Sequence, residues 1–152
     1  MMSVNSEAIN DIFRKLFHEI VNLEKKAIIT EEFKDISNKD MHVIEAIGMG
    51  VDNTMSVVAK KLGITAGSLT VSINNLVNKK YVLRKRGKTD RRKVYISLSE
   101  KGQKAFRHHK IFHKKLTEAL VKTLNQEEVK VLLKSLNGLS GFFQSYRSLE
   151  GQ

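Results

Sequence analysis

The sequence predicts a mainly α-helical fold that contains one small β-hairpin, and three observations support this prediction. Most of the 152 residues follow the i, i+3, i+4 apolar spacing of amphipathic helices. Proline is absent, so nothing interrupts long helices. One short region, residues 81–98, instead contains two segments rich in β-branched residues and tyrosine, and apolar and polar residues alternate in the second segment. This pattern is typical of strands.

The first two predicted helices are amphipathic. The first covers about 6–29 and carries an apolar stripe along one face. The second begins at Ser37, where Asp40 three residues later predicts a capping box, and it runs to Gly48. The stripe of the first helix consists of Ile9, Ile12, Phe13, Leu16, Phe17, Ile20, Leu23 and Ala27.

Two shorter helices follow. The third covers about 55–62 and stops at Gly63, and Thr65 caps the fourth, about 66–79. The spacing fits a helix-turn-helix, because the small Ala59 permits close helix approach and Gly63 can adopt the left-handed conformation at the turn. The residues of the fourth helix that are predicted to face inward are Leu69, Ile73 and Leu76.

The next region has the period of β-strands. Residues 81–86 and 93–98 are rich in β-branched residues and tyrosine, and the polar residues 87–92 form a charged turn between them. A basic hairpin directly after a helix-turn-helix is the arrangement of a winged helix-turn-helix, in which the hairpin is the wing. The predicted fold is therefore mainly α with a small β-hairpin wing.

Two long helices are predicted after the hairpin. Ser99 caps the first, about 100–123, and Asn125 with Glu128 predicts the start of the second, about 126–148. Apolar residues of the last helix repeat at alternating spacings of three and four, a seam that is typical of helices packed against a partner helix. These residues are Val129, Leu132, Leu136, Leu139, Phe143 and Tyr146.

Positive charge is concentrated in one part of the chain. Residues 79–115 contain 15 lysine and arginine residues and two acidic residues, and the whole chain has a formal net charge of +11. Such a field attracts a polyanion and speeds its capture. The alternative, a solvated basic face, is less favoured beside a winged helix-turn-helix.

The remaining composition excludes several classes of protein. Hydrophobic residues make up 41% of the chain and charged residues 28%, which is typical of one globular domain. Without cysteine, disulfides and thiolate metal sites are excluded. No nucleophile elbow or phosphate-binding glycine loop points to an enzyme. No long apolar run or cleavable leader occurs, so we expect a cytoplasmic protein.

Several motifs resemble those of the MarR family of transcriptional regulators. They are VVAKKLGIT at residues 57–65, the segment 76–82, and TDRRKVYISLSEKG at residues 89–102. The order and length of the elements also match, over essentially the whole chain. The resemblance implies a six-helix MarR-type architecture in one domain of residues 1–152, whose winged helix lobe covers about 37–98. It further implies an interlocked homodimer built by helices at about 6–29, 100–123 and 126–148.

One residue departs from the family's pattern. Members usually have glycine just before the first wing strand, where this chain has Lys80. If Lys80 is left-handed, it costs about 1 kcal/mol relative to glycine. If the fourth helix instead ends early, at Asn78, Lys80 need not be left-handed. The sequence leaves both possibilities open.

Base contacts are expected from the outward face of the fourth helix. This face offers no arginine or lysine, so bidentate reading of guanine from it is not expected. Thr70 and Val71 are candidates for contact with thymine methyl groups, and Asn74 for reading adenine. For the asparagines, ordinary solvent exposure is the alternative. Thr65 and Ser68, at the start of the helix, are candidates for phosphate contact. The full set of expected contacts from this helix is Thr65, Ser68, Thr70, Val71, Asn74 and Asn75.

The wing is expected to contact the minor groove and the phosphates. By resemblance, Arg92 inserts into the minor groove and Asp90 orients it. Because a narrow, A·T-rich minor groove attracts arginine, the predicted partner is double-stranded DNA with an A·T-rich inverted repeat. The other cations would mostly contact phosphates and provide salt-dependent affinity. The expected wing contacts are Arg84, Lys85, Arg86, Lys88, Asp90, Arg91 and Arg92.

Three stretches, residues 33–42, 69–76 and 109–114, resemble the MarR-type repressors of fatty-acid synthesis in Gram-positive bacteria. This resemblance implies a corepressor, a long-chain acyl group on acyl carrier protein. Cations that suit the acidic carrier are Lys101, Lys104, Arg107 and Lys110. The acyl chain would lie in a tunnel lined by apolar residues, for which ordinary core packing is the alternative role. These residues are Phe13, Leu16, Phe17, Ile20, Met41, Ile44 and Phe112.

Two alternatives remain open. A sequence-blind architectural DNA-binding protein would explain the charge but not the dimerisation helices. A zinc-responsive MarR-type repressor would explain two histidines one turn apart on the fifth helix, a spacing that can bind one metal ion. Because lysines flank these histidines, a structural pair is favoured, and no metal or other cofactor is expected. By resemblance, the candidate zinc ligands are Glu24, His42, His109 and His113.

Overall fold

The computed structural model describes residues 4–28, 30–50 and 52–150. Within these residues, the winged helix-turn-helix and six-helix architecture confirm the predicted fold class, and no helix combines the length and apolar character that a membrane span requires. The elements are α1 (Val4–Ile28), α2 (Asn38–Ile47), β1 (Asn53–Thr54), α3 (Met55–Leu62), α4 (Ala66–Asn78), β2 (Val82–Arg86), β3 (Val94–Leu98), α5 (Glu100–Val121) and α6 (Gln126–Glu150).

The chain divides into two compact units, one within Met1–Phe112 and one within His113–Gln152. The first unit contains α1 to α4, the sheet and the first part of α5. The second contains the rest of α5 and all of α6. The single domain over residues 1–152 stays a prediction.

Capping side chains explain where several helices begin. Ser37 Oγ accepts a hydrogen bond from the Asp40 amide at 3.1 Å, and Asp40 Oδ2 accepts one from the Ser37 amide at 3.0 Å, which confirms the predicted capping box. Asn125 and Glu128 form the same reciprocal pair at 2.9 and 3.0 Å. Each described helix end lies within two residues of its predicted position. Residue 29, the predicted end of the first helix, lies outside the described residues.

The three strands form one antiparallel sheet in the order β1-β3-β2. The predicted hairpin is confirmed, with Val82 opposite Leu98 and Arg84 opposite Ile96. The prediction of a hairpin alone was incomplete, because Asn53–Thr54 pairs with β3 as a third strand. Two residues are too few to show the period of a strand in the sequence.

The core of the first unit lies among α2, α3, α4 and the sheet. The three residues predicted to face inward from α4 are fully buried, so the predicted inner face is confirmed. Burial of each such side chain stabilises the fold by about 1.5–3 kcal/mol. The buried hydrophobic residues are Phe33, Ile36, Met41, Val43, Ile44, Ile47, Val58, Ala59, Leu69, Ile73, Leu76, Tyr81, Val82, Ile96, Leu98 and Ala105.

Helix α4 ends in a left-handed turn at Lys80, whose φ is +67°. The Lys80 amide donates to the Val77 carbonyl at 3.0 Å, and the Tyr81 amide donates to the Leu76 carbonyl at 2.9 Å. These two bonds form a Schellman motif, in which glycine is usual at the left-handed position. The chain thus accepts a lysine at a position that costs about 1 kcal/mol relative to glycine.

Candidate nucleic-acid interface

Helix α4 presents a neutral, polar face to solvent. All six residues predicted to contact DNA from this helix are exposed, and Val71 is 71% exposed. Thr65 Oγ1 caps the helix by accepting from the Ser68 amide at 3.2 Å, as predicted. Thr70 Oγ1 donates to the Ala66 carbonyl at 2.8 Å, so its hydroxyl proton is engaged within the helix.

The two asparagines of α4 are held by neighbouring elements. Asn75 Nδ2 donates to Asp40 Oδ1 of α2 at 3.3 Å, and Lys79 Nζ lies 3.5 Å from Asp40 Oδ2. Asn74 Oδ1 accepts from Arg84 Nη1 of the wing at 2.7 Å. Both amides are therefore oriented before any ligand arrives, a property that spacing along one helix does not reveal.

The tip of the wing is ordered by its own backbone and by Asp90. The Gly87 amide donates to the Lys93 carbonyl at 2.8 Å, and the Lys93 amide donates to the Asp90 carbonyl at 3.1 Å. Asp90 Oδ1 accepts from the Arg92 amide at 3.0 Å, so Asp90 holds the backbone of Arg92. A Cβ on Gly87 would overlap the Asp90 carbonyl oxygen, which explains glycine at the start of this turn. The Arg92 side chain is exposed.

A groove of about 380 Å³ lies beside the wing at the start of α3. Thr54 Oγ1 accepts from the Val57 amide at 3.3 Å and caps α3. The free amides of a first helical turn favour anions, and Arg92 and Lys93 line the same groove. Sequence reasoning missed Ser56 and Lys93 here, although the Thr54 cap was a readable signal. The remaining lining residues are Met55 and Val94.

Asp35 joins the end of α4 to the start of α5. It accepts from the buried Tyr81 hydroxyl at 2.6 Å, and Lys101 Nζ lies 3.4 Å from its other oxygen. Lys79 Nζ donates to the Asp35 carbonyl. Burial works to raise the pKa of Asp35, but the Tyr81 hydrogen bond and the Lys101 charge leave it below its ordinary value. Burial, with the bond to Asp35, raises the pKa of Tyr81.

The start of α5 lies very close to the backbone at Tyr81. Ser99 Oγ accepts from the Gly102 amide at 3.1 Å and donates to the Lys80 carbonyl at 2.6 Å. The Ser99 amide donates to the Tyr81 carbonyl at 3.0 Å. A Cβ on Gly102 would overlap that carbonyl oxygen, so only glycine fits this position without a shift of α5.

The residues predicted to bind an effector are divided between interior and surface. Met41 and Ile44 are fully buried in the core, whereas Phe17 is 72% exposed. Phe13 and Leu16 are about half exposed, and Ile20 and Phe112 are partly buried. Of the cations predicted to meet acyl carrier protein, Lys101 is engaged with Asp35. The exposed ones are Lys104, Arg107 and Lys110.

Three of the four candidate metal ligands lie together in the first unit. Buried His109 Nε2 is 3.1 Å from buried Glu24 Oε1, and His42 Nε2 is 3.8 Å from the same oxygen. Glu45 Oε2 lies 3.8 Å from His109 Nδ1. His113 begins the second unit. The contact with Glu24 gives His109 a structural role, and the donor atoms of these side chains are also ones that zinc accepts. The structural pair of the two α5 histidines stays a prediction.

Known proteins resemble this chain along nearly its whole length. Residues 4–111 match the family described as transcriptional regulator SarA/Rot. The HTH-type transcriptional regulator PchR of Bacillus subtilis (strain 168) is 25% identical over 159 residues, with 95% of this chain and 93% of PchR covered. The structure of Streptococcus pneumoniae FabT in complex with DNA matches with a TM-score of 0.84 and 38% identity, covering 92% of this chain and 98% of FabT. An S. aureus MepR-DNA complex shares the fold, with a TM-score of 0.67 at 23% identity, covering 89% and 97% of the two chains.

Proposed function

This chain belongs to the SarA/Rot family of transcriptional regulators, and we propose that it is a dimeric repressor of fatty-acid-synthesis genes. It is a regulator with a DNA-binding winged helix, and it is not an enzyme. The proposed target is an A·T-rich inverted repeat, and the proposed corepressor is a long-chain acyl group on acyl carrier protein. The observation that carries the proposal is the neutral, exposed face of α4, which we call the recognition helix, beside a cationic wing, in a chain 38% identical to a FabT that was solved with DNA.

Recognition of the operator is assigned to two elements. The exposed face of α4 would enter the major groove, where Val71 suits thymine methyl groups. Arg92 would enter a narrow minor groove, whose negative potential is strongest over A·T-rich DNA. The other DNA contacts that we propose are Thr65, Ser68, Thr70, Asn74, Asn75, Arg84, Lys85, Arg86, Lys88, Asp90 and Arg91.

Dimerisation is supported by apolar residues that the single chain leaves exposed. On α1 these include Phe13 and Phe17, and on α6 they include Leu136, Phe143 and Tyr146. Exposed apolar residues at helical spacing favour burial against another helix. We propose that α1, α5 and α6 interlock with those of a second copy and hold two winged helices over the two halves of the operator.

The DNA-binding part of the proposal is tested by selection from a randomised duplex library. We expect the protein to enrich an A·T-rich inverted repeat and to bind it with two chains per duplex, as measured by analytical ultracentrifugation. Random duplexes of equal length serve as the control. Equal affinity for operator and random DNA would contradict a sequence-specific repressor and indicate a sequence-blind architectural DNA-binding protein.

The effector part is tested on the selected operator. Long-chain acyl carrier protein should tighten operator binding, whereas carrier protein without an acyl chain should not. Charge reversal at exposed Lys104 and Arg107 should abolish this response and leave DNA binding intact, because α5 would meet the acidic carrier away from the DNA. If the charge reversal abolished both the response to acyl carrier protein and DNA binding, the whole basic region of residues 79–115 would be assigned to DNA binding.

The cluster of Glu24, His42 and His109 favours a second candidate, a zinc-responsive repressor. Metal analysis of purified protein separates the two candidates. Near-stoichiometric zinc that changes operator affinity, with no effect of acyl carrier protein, would establish the zinc-responsive function instead. Glu24→Gln should then remove the zinc response.

A further inference from the structure

The neutral recognition helix and the cationic wing are joined by a hydrogen bond between two exposed side chains. Arg84 Nη1 donates to Asn74 Oδ1 at 2.7 Å. The register of the hairpin explains this contact. Arg84 lies opposite buried Ile96, so its side chain is on the sheet face that packs toward α4. Lys85, the next residue, is on the opposite face, since successive side chains of a strand alternate.

This bond determines which end of the Asn74 amide remains free. A guanidinium carries hydrogen-bond donors and no acceptor, so its partner must be the amide oxygen. The NH₂ group of Asn74 is therefore left to face a ligand as a donor. Asparagine reads adenine by accepting from N6 and donating to N7. Here Arg84 already occupies one of the two lone pairs of the accepting oxygen, and its positive charge disfavours the approach of the N6 donor.

We propose that Arg84 determines the base preference of the recognition helix by holding Asn74 as a donor, so that the pair reads guanine. Guanine presents two acceptors, N7 and O6, in the major groove, and the amino group of Asn74 and the guanidinium of Arg84 both supply donors. This inference rests on the proposed function, since it requires α4 to lie in the major groove of an operator. It replaces adenine with guanine as the partner of Asn74 and places a G·C pair in each half of an otherwise A·T-rich repeat.

The test compares Arg84→Ala with Lys85→Ala, which removes the same charge from the neighbouring residue on the opposite face. Fluorescence anisotropy gives the affinity for the selected operator and for duplexes that carry each base pair at each half-site position. For the wild-type protein we expect a guanine preference of roughly tenfold at one position. Replacement of that guanine by 7-deazaguanine, which lacks the N7 acceptor, should weaken binding.

The two alanine variants should behave differently. Arg84→Ala frees Asn74 Oδ1, so the preference at that position should move from guanine to adenine. Lys85→Ala should lower all affinities by a similar factor and keep the preference for guanine, because a phosphate contact carries no sequence information. Asn74→Asp keeps an acceptor for Arg84 but removes the NH₂ donor, so it should abolish the preference for guanine.

Two outcomes would overturn the inference, and they are distinguishable. A selective wild-type protein whose base preference survives Arg84→Ala would overturn the inference and leave the proposed function standing. A wild-type protein that binds every duplex equally would overturn both. Circular dichroism melting curves of the three variants show whether a changed preference arises in a folded protein.

Discussion

The recognition helix and the wing are neighbours in the sequence but differ in charge and in how they are held. Ala66–Asn78 contains no charged residue, whereas residues 84–93 contain seven arginines and lysines. Three fully buried side chains and a threonine cap hold the helix, while most of the wing is exposed. The difference teaches that the wing can supply charge-driven affinity for any DNA, whereas the uncharged helix can contribute only directed contacts to base edges.

The largest expected effect belongs to Arg92, the wing residue that we assign to the minor groove. Arg92→Ala should weaken operator binding by roughly tenfold to a hundredfold, on the order of the 1–3 kcal/mol lost with a specific contact. Arg91→Ala is the control, and it should lower affinity for operator and random DNA alike. Equal behaviour of the two variants in a competition assay would make the wing a purely electrostatic element.

The salt dependence of binding should follow the wing and not the helix. Lys88→Ala should reduce the slope of log affinity against log salt by about one, because one fewer phosphate is neutralised. Thr70→Ala on α4 should leave the slope unchanged. Anisotropy titrations at several salt concentrations measure both slopes, and a reduced slope for Thr70→Ala would contradict the division between the two elements.

The helix should depend on its cap for stability. Thr65→Ala should lower the free energy of unfolding by about 1 kcal/mol, since the Ser68 amide loses its partner. Thr70→Ala is the matched control on the same exposed face, and it should change stability little. Urea unfolding measures the difference, and equal stability of the two variants would show that the cap is not required.

Replacement of Lys80 at the end of the helix should increase stability. Lys80→Gly removes the strain of a left-handed lysine, which stabilises the folded protein. Glycine also gives the unfolded chain more conformational freedom, which offsets part of this gain. The free energy of unfolding should therefore rise by about 0.5–1 kcal/mol. Lys79→Gly should destabilise the protein, because Lys79 has φ −79° and contacts Asp35 and Asp40. A higher melting temperature for Lys79→Gly would contradict this reading of the turn.

The smallest expected effect is the pH dependence of the stability that Asp35 provides through its contacts with Tyr81 and Lys101. The pKa of Asp35 is lowered in the folded state, so its contribution to stability is present above its ordinary pKa of about 3.9 and is lost as pH falls through the folded value. Asp35→Asn should therefore destabilise the protein at pH 6 and less so at pH 3. Asp11→Asn on α1 is the control. A constant difference between Asp35→Asn and wild type at both pH values would exclude this linkage.

Local signals explain why so much of the fold was predictable. Ser37 with Asp40, and Asn125 with Glu128, each place a helix start within three residues of sequence. The apolar period of α4 identified its buried face. The charged turn marked the hairpin. Each of these features is decided by residues that are close together in the chain.

The features that were missed depend on residues that are far apart. Asp35 meets Tyr81 across 46 positions and Lys101 across 66, and nothing near Asp35 in the sequence indicates either contact. Strand β1 exists because β3 provides hydrogen-bond partners for two residues. The bond between Asn74 and Arg84 requires the hairpin register. Site chemistry is therefore less predictable than the elements that position it, and the proposed DNA contacts stay predictions.

Gly102 has a practical consequence for anyone who labels or engineers this protein. Because a Cβ there would overlap the Tyr81 carbonyl oxygen, a cysteine introduced at this position for a fluorophore would push α5 away from the recognition helix. Glu100, two residues earlier in α5, is exposed and is not among the proposed contact residues, so it is suited to carry such a probe.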